Sequence, residues 1–387
     1  MEATAAIESK KVFNGDRWIW LVVLVLSVIS ILAVYSSANT LAHKTKDGYT
    51  EFFLFKHLGL MLSGLFMLYL IHFADYRFFS RIGQIALWIS IPLLLVTLIT
   101  GSRINDANRW ISIPIINATF QTSDFAKLAL MMFLARQLSK KQEQIKDFKS
   151  AFLPLIIPIA LVCVLILPAN FSTAAIVFTS SIILLFIGRV NMKYIGLLVL
   201  TGVVSFGLFL LIALNFNLPG RIGTWKARIE NFKNGDPDTN YQASQSKIAI
   251  ANGGFTGLGP GNSVQRNFLP HPYSDFIFAI ILEEYGFLGG FLIMVMYLIL
   301  FYRVLRMVKN SPSNFATFLA IGCTLMLLFQ GFINMAVATG LFPVTGQALP
   351  LVSMGGTSIW FTSIAFGIII NISRHCEKPE DEGGEDV

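Results

Sequence analysis

The chain has 387 residues, of which 55% are hydrophobic and only 13% charged, and its mean hydropathy is +0.66. Soluble globular domains carry about 25% charged residues, so this composition excludes a water-soluble globule. With long unbroken apolar runs it defines a polytopic membrane protein. The formal net charge of +7 then reads as a topology signal, not as a footprint for nucleic acid.

In chain order, apolar runs predict ten membrane spans, at 18–35, 52–73, 82–99, 123–138, 152–167, 174–188, 194–216, 275–302, 314–340 and 358–372. No small-residue cleavage site closes the first run, which reads as a retained span and not a signal peptide. The loops on the N-terminal side carry Lys10, Lys11, Arg17, Arg77, Arg81, Arg136, Lys140, Lys141, Lys146, Lys149, Arg189, Lys193, Arg303, Arg306, Lys309, Arg374 and Lys378. The opposite short loops carry only Lys44, Lys46, Lys56, Arg103 and Arg109. Basic loops stay in the cytoplasm, so both termini are expected there. The expected architecture is an all-α bundle over 18–376 with one large outer loop at 217–274. A polar tail at 1–17 precedes it, and an acidic tail at 377–387, disordered by composition, follows it.

The stretch from Tyr241 to Glu284 concentrates what is not plain apolar helix. It begins as a polar helical segment and passes five glycines (Gly253, Gly254, Gly257, Gly259, Gly261). A Pro-His-Pro turn then leads to Asp275 at the mouth of an apolar run that contains Glu283 and Glu284. Asp275 reads either as an ordinary helix N-cap or as a functional carboxylate. At 100° per residue Glu283 shares its helix face while Glu284 points away, which makes Glu283 a candidate cavity-facing acid. The glycine run matches no P-loop or dinucleotide pattern, and a lid or a set of tight turns explains it equally well.

Ionisable groups inside spans are costly and therefore functional candidates. Asp124 and Lys127 form an i,i+3 pair, either a structural ion pair or a cation facing an anionic substrate. Arg109 and Trp110 suit a membrane–water interface and phosphate. The uncharged, Pro- and Gly-rich segment 340–358 reads as irregular backbone that lines a cavity, since such backbone at membrane depth must be shielded.

Four blocks together resemble the SEDS family (shape, elongation, division and sporulation): the Arg109-Trp110 loop with QTSDFAKLAL, YQASQSKIAIANGGFTGLGPGNSVQ, YSDFIFAIILEEYGFLGG, and FPVTGQALPLVSMGGTS. The division branch is the nearer, the elongation branch the alternative. The resemblance implies a peptidoglycan glycosyltransferase of the bacterial inner membrane that polymerises lipid II at the periplasmic face. It implies Asp275 as the essential acidic residue, acting as the base, with Arg109 and Lys127 as basic groups near the substrate. Glu283, Ser263 and Gln265 are expected to bind substrate, with Asp124, Trp110, Gly355 and Gly356 in support. A class B penicillin-binding transpeptidase is the implied partner, and a divalent cation such as Mg or Mn an open cofactor. The chain departs from the family pattern at Thr122 and Asp124 (QPSE in the family), at Asn170 (PDLGT) and at Met354 (SYGG). A lipid flippase and a non-catalytic division scaffold remain alternatives.

Overall fold

The computed structural model describes residues 14–37, 50–104, 107–113, 118–215 and 240–376. Both tails, at 1–13 and 377–387, and the first part of the long loop, at 217–239, lie outside the described residues. Eleven α-helices occur among the described residues: α1 (Arg17–Ser37), α2 (Thr50–Phe73), α3 (Tyr76–Thr100), α4 (Thr122–Lys140), α5 (Leu153–Ile166), α6 (Phe171–Ile187), α7 (Met192–Asn215), α8 (Tyr241–Gly253), α9 (Ile277–Met307), α10 (Asn314–Ala338) and α11 (Ser358–Cys376).

Each of the ten expected apolar runs falls on a helix, and α8 is the polar helix expected at Tyr241. Seven of the helices (α1, α2, α3, α5 together with the helical turn before it from Phe148, α9, α10 and α11) are long and apolar enough to cross a membrane. Helix α4 falls short because Asp124, Lys127, Arg136 and Lys140 interrupt its apolar sequence. The described apolar stretches of α6 and α7 are shorter than a full span.

Helix α10 forms the centre. Most of its apolar stretch is buried, against under a quarter of that of α2, whose remaining surface is apolar and faces outward. Such an inside-out distribution is stable only where the solvent is hydrocarbon. Asp16, just before α1, accepts from Arg303 of α9 at 2.6 Å and receives the Trp18 amide at 2.9 Å, tying two helix ends together. The N-terminal segment expected to be a tail therefore joins the fold before residue 17.

The all-α expectation needs one correction. Between α3 and α4 lies a three-stranded antiparallel sheet, β1 (Ser102–Ile104), β2 (Ala107–Ile113) and β3 (Ala118–Gln121), in the order β1-β2-β3. The aromatic and β-branched residues Trp110, Ile111, Ile113, Thr119 and Phe120 suit strands. Trp110 opposes Gln121 and Ile111 opposes Phe120, so neighbouring pairs project from opposite faces. Phe120 meets Phe125 and Phe361 on the bundle side.

Candidate active site

Helix α9 is not one helix. At Gly286 the backbone takes φ 64° and ψ −165°, which breaks the turn. The glycine loop after α8 enters the break. Leu258 N–H donates to Glu283 O and Gly259 N–H to Glu284 O, both at 2.9 Å. Phe287 N–H donates to Gly254 O at 3.0 Å and Leu288 N–H to Phe255 O at 3.4 Å. These are the two donors and two acceptors that an unbroken helix would pair with each other, and buried backbone groups demand such partners. Close approach explains the glycines: a Cβ on Gly257 would lie 2.2 Å from Glu284 O, and one on Gly253 would lie 1.9 Å from Leu282 O. The run is a tight backbone splice, one of the two readings open from sequence.

The splice turns Glu283 and Glu284 toward the loop. Glu283 is fully buried and accepts from Ser263 Oγ, from Gln265 N at 3.2 Å and from Val264 N at 3.3 Å. Glu284 accepts from Ser36 Oγ of α1 and from Ser263 N at 3.4 Å, while Arg266 donates to Ser36 Oγ at 3.0 Å. Glu283, Ser263 and Gln265, expected at the substrate, thus form a buried cluster that holds the loop, and none of them lines the cavity around Asp275.

That cavity has a volume of about 320 Å³ and opens between the sheet, the turn before α9 and the irregular segment after α10. Its wall includes Trp110 and Gln121 from the sheet, Asp124 from α4, Asp275 from the turn, and Gly355 and Gly356. The segment 340–357 is irregular and largely buried, as expected of cavity-lining backbone, with Gly346 and Gly356 at positive φ.

Asp275 is not a helix cap: α9 starts at Ile277 after Phe276, with no side-chain cap. Its carboxylate accepts from Ser274 Oγ at 2.9 Å. Burial, and then the negative charge of Asp275, hold the Tyr273 phenol above its usual range. Tyr273 also contacts His271, a non-glycine residue at φ 55°. Backbone held in that region costs about 1–3 kcal/mol and concentrates at functional sites.

Asp124 and Lys127 pair at 2.7 Å, both buried. Lys127 Nζ also donates to Gln330 Oε1 at 2.8 Å. Asp124 and Gln330 reach the cavity and Lys127 does not, so the ammonium lies one layer behind the wall. One oxygen of Asp124, Oδ2, has no hydrogen-bond partner among the described residues. Trp110, which also suited an interfacial anchor, stands on the cavity wall. Arg109 lies on β2, and its side chain falls outside the described residues. His271, Tyr273, Gln330, Thr345 and Gln347 were not singled out from sequence. The amides Gln330 and Asn334, polar in the midst of an apolar helix, were the available signal.

No group of three His, Cys, Asp or Glu side chains stands ready for a metal among the described residues. The cavity carboxylates do fit the chemistry of a hard cation such as Mg²⁺, which takes one or two carboxylates and completes its shell with water and substrate phosphates.

A polytopic helical bundle with a polar, acid-containing cavity walled by a small sheet, the turn before α9 and an irregular segment defines a membrane protein with a polar site. The chain belongs to the FtsW/RodA/SpoVE family of cell cycle proteins, whose sequence profile matches residues 16–378. It is 34% identical over 366 residues to a probable peptidoglycan glycosyltransferase FtsW of Trichlorobacter lovleyi, covering 92% of this chain and 93% of that one. It is 32% identical over 368 residues to the stage V sporulation protein E of Bacillus subtilis, covering 94% and 98%. Among solved structures, a chain of a peptidoglycan synthase complex that coordinates polymerization and crosslinking superimposes with a TM-score of 0.74 at 23% identity, covering 94% of this chain and 99% of that one. The rod shape determining protein RodA of Thermus thermophilus gives 0.66 at 21%, covering 94% and 98%. These two likenesses show the fold.

Proposed function

We propose that this chain is a peptidoglycan glycosyltransferase that joins lipid II units into glycan strands, acting in cell division. The names of its relatives support the polymerase reading, and the geometry around Asp275 supports the chemistry. The observation that carries it is the state of Asp275: it lines a polar cavity and, among the described residues, has one side-chain donor, so lone pairs are available to a substrate.

In this mechanism the Asp275 carboxylate takes the proton from the acceptor sugar's hydroxyl as that oxygen attacks the anomeric carbon of the donor. The bond to the pyrophosphate breaks, and the electron pair leaves with it. A pyrophosphate needs no general acid if its charge is neutralised, so one base is enough and no second carboxylate is required. Arg109 is assigned to that charge, Trp110, Gly355 and Gly356 to the substrate's positioning, and Lys127 to holding Asp124 in the wall. Asp124, with its unpartnered oxygen, would hold a divalent cation, which would supply further charge neutralisation there. Direct displacement inverts the anomeric centre, so an α-linked donor gives a β-linked strand.

The proposed topology has ten crossings with both termini in the cytoplasm, and places the cavity at the periplasmic face of the inner membrane. The partner is a class B penicillin-binding transpeptidase. The test is polymerisation of lipid II by the purified protein with that partner, whose own crosslinking site is blocked by a β-lactam, comparing wild type with Asp275→Asn. Glycan strands from wild type and none from the folded variant support the reading. Equal polymerisation by both would falsify the base assignment.

A further inference from the structure

Asp275 lacks the usual means of holding a residue at a helix start, yet its backbone is pinned. Three consecutive carbonyls of the turn each accept from a different donor: Tyr273 O from Met354 N–H at 2.9 Å, Ser274 O from Ser353 Oγ at 2.6 Å, and Asp275 O from Asn334 Nδ2 at 2.9 Å. Two of these donors are buried side chains with a second task. Asn334 also donates to Gln347 O at 2.7 Å, and Ser353 Oγ accepts from Leu349 N–H at 2.7 Å. One turn earlier on α10, Gln330 donates to Ala348 O at 2.9 Å. Residues four apart share a helix face, so Gln330 and Asn334 present two amides side by side to the successive carbonyls of residues 347 and 348. The cavity wall and the Asp275 turn are therefore fastened to one rigid platform and to each other.

We infer that Asn334 and Ser353 are positioning residues that fix the Asp275 carboxylate relative to the substrate wall through this three-carbonyl clamp. The inference rests on the reading of Asp275 as the base. It adds that Asp275's reach is set by donors on α10 and on the uncharged segment, not by its own helix. Side-chain freedom alone would let the carboxylate swing. With its own carbonyl and the two before it held, the turn has little room to shift, and displacements of about 1 Å can cost on the order of 100-fold in rate.

The experiment compares Ser353→Thr with Ser353→Val, which have nearly the same shape and differ in the hydroxyl. Each is made alone and in the Asp275→Asn background, in the full chain with its partner, on lipid II. The expected result is a kcat per folded protein for Ser353→Val about tenfold or more below that of Ser353→Thr, with KM within twofold, and a lower melting temperature for Val because Leu349 N–H and Ser274 O lose their partner. In the Asp275→Asn background the two should give equal residual rates, because a group that acts through Asp275 has nothing left to position. Asn334→Asp, which turns an oxygen toward two carbonyls in place of the amide donors, should lower kcat in the same way. Equal kcat for Thr and Val, with Asp275→Asn inactive, overturns the clamp and leaves the base standing. The same Thr-to-Val ratio in both backgrounds also overturns it, since the hydroxyl would then act on folding alone. Full turnover by Asp275→Asn removes the base itself, and the clamp's role falls with it.

Discussion

Two carboxylates eight residues apart, Asp275 and Glu283, have opposite surroundings. Glu283 is fully buried and accepts from one hydroxyl and two backbone amides within 3.3 Å, while Asp275 accepts from one neighbouring hydroxyl and looks into a polar cavity. A carboxylate saturated with internal donors stabilises a structure and has no lone pair to offer a substrate. One left partly unsatisfied against a cavity is available for chemistry. On the proposed reading, saturation with internal donors marks Glu283 as a structural acid, and incomplete satisfaction beside a cavity marks Asp275 as the reactive one.

The comparison can be broken in order of expected effect. Asp275→Asn should lower kcat for glycan synthesis by about 10²–10⁴-fold, the usual contribution of a general base, with no change in melting temperature; a loss of folded protein instead would make it a structural acid. Lys127→Met leaves Asp124 buried and unpaired, which should cost about 3–5 kcal/mol of stability. The double variant Asp124→Asn with Lys127→Met should recover most of that loss in a denaturation experiment. Glu283→Gln should cost about 1–3 kcal/mol, because the amide turns its own donor toward Ser263, Val264 and Gln265 in place of an accepting oxygen, with the turnover of the folded fraction near wild type. A kcat loss at unchanged stability would move Glu283 to the chemical side of the comparison.

The smallest effect is spectroscopic. Tyr273 is held above its usual range first by burial and then by the charge of Asp275. A phenol raised in the folded state contributes stability below its unfolded value near 10, and that contribution fades as pH rises through the folded value. Asp275→Asn removes the Coulombic part and leaves the burial part, so an ultraviolet difference titration should show Tyr273 ionising at lower pH than in wild type. An unchanged titration would separate the two groups.

Much of this was legible in the residues. Unbroken apolar runs gave the helices, and the uncharged, glycine-rich 340–358 gave the irregular wall, because both are compositional consequences of a hydrocarbon solvent. Asp275 was legible as a candidate, but an acid at the mouth of an apolar run is also an ordinary N-cap, and only the start of α9 at Ile277 separates the two readings. Glu283 was misplaced because the helical wheel was started at Asp275, whereas the helix starts at Ile277 and is broken at Gly286. A 100° step carries no meaning across a turn. The sheet was missed because strands of three, seven and four residues leave too little periodicity to outweigh a loop. Gln330, Asn334 and Gln347 were passed over because a search for charge ignores neutral amides, which in a dry interior are nearly as demanding of partners.

The splice at Gly286 has a consequence for how this protein opens. In an unbroken helix the amides of Phe287 and Leu288 would exchange with solvent deuterium only when the helix itself frays. Here they are protected by Gly254 and Phe255, so their exchange reports the lifting of the loop. Because the loop bonds to α9 on both sides of Gly286, the end of its first part and the start of its second are expected to open together with the loop. In dynamic terms the glycine loop and both sides of the break are one latch, and the amides of Phe287 and Leu288 are its reporters.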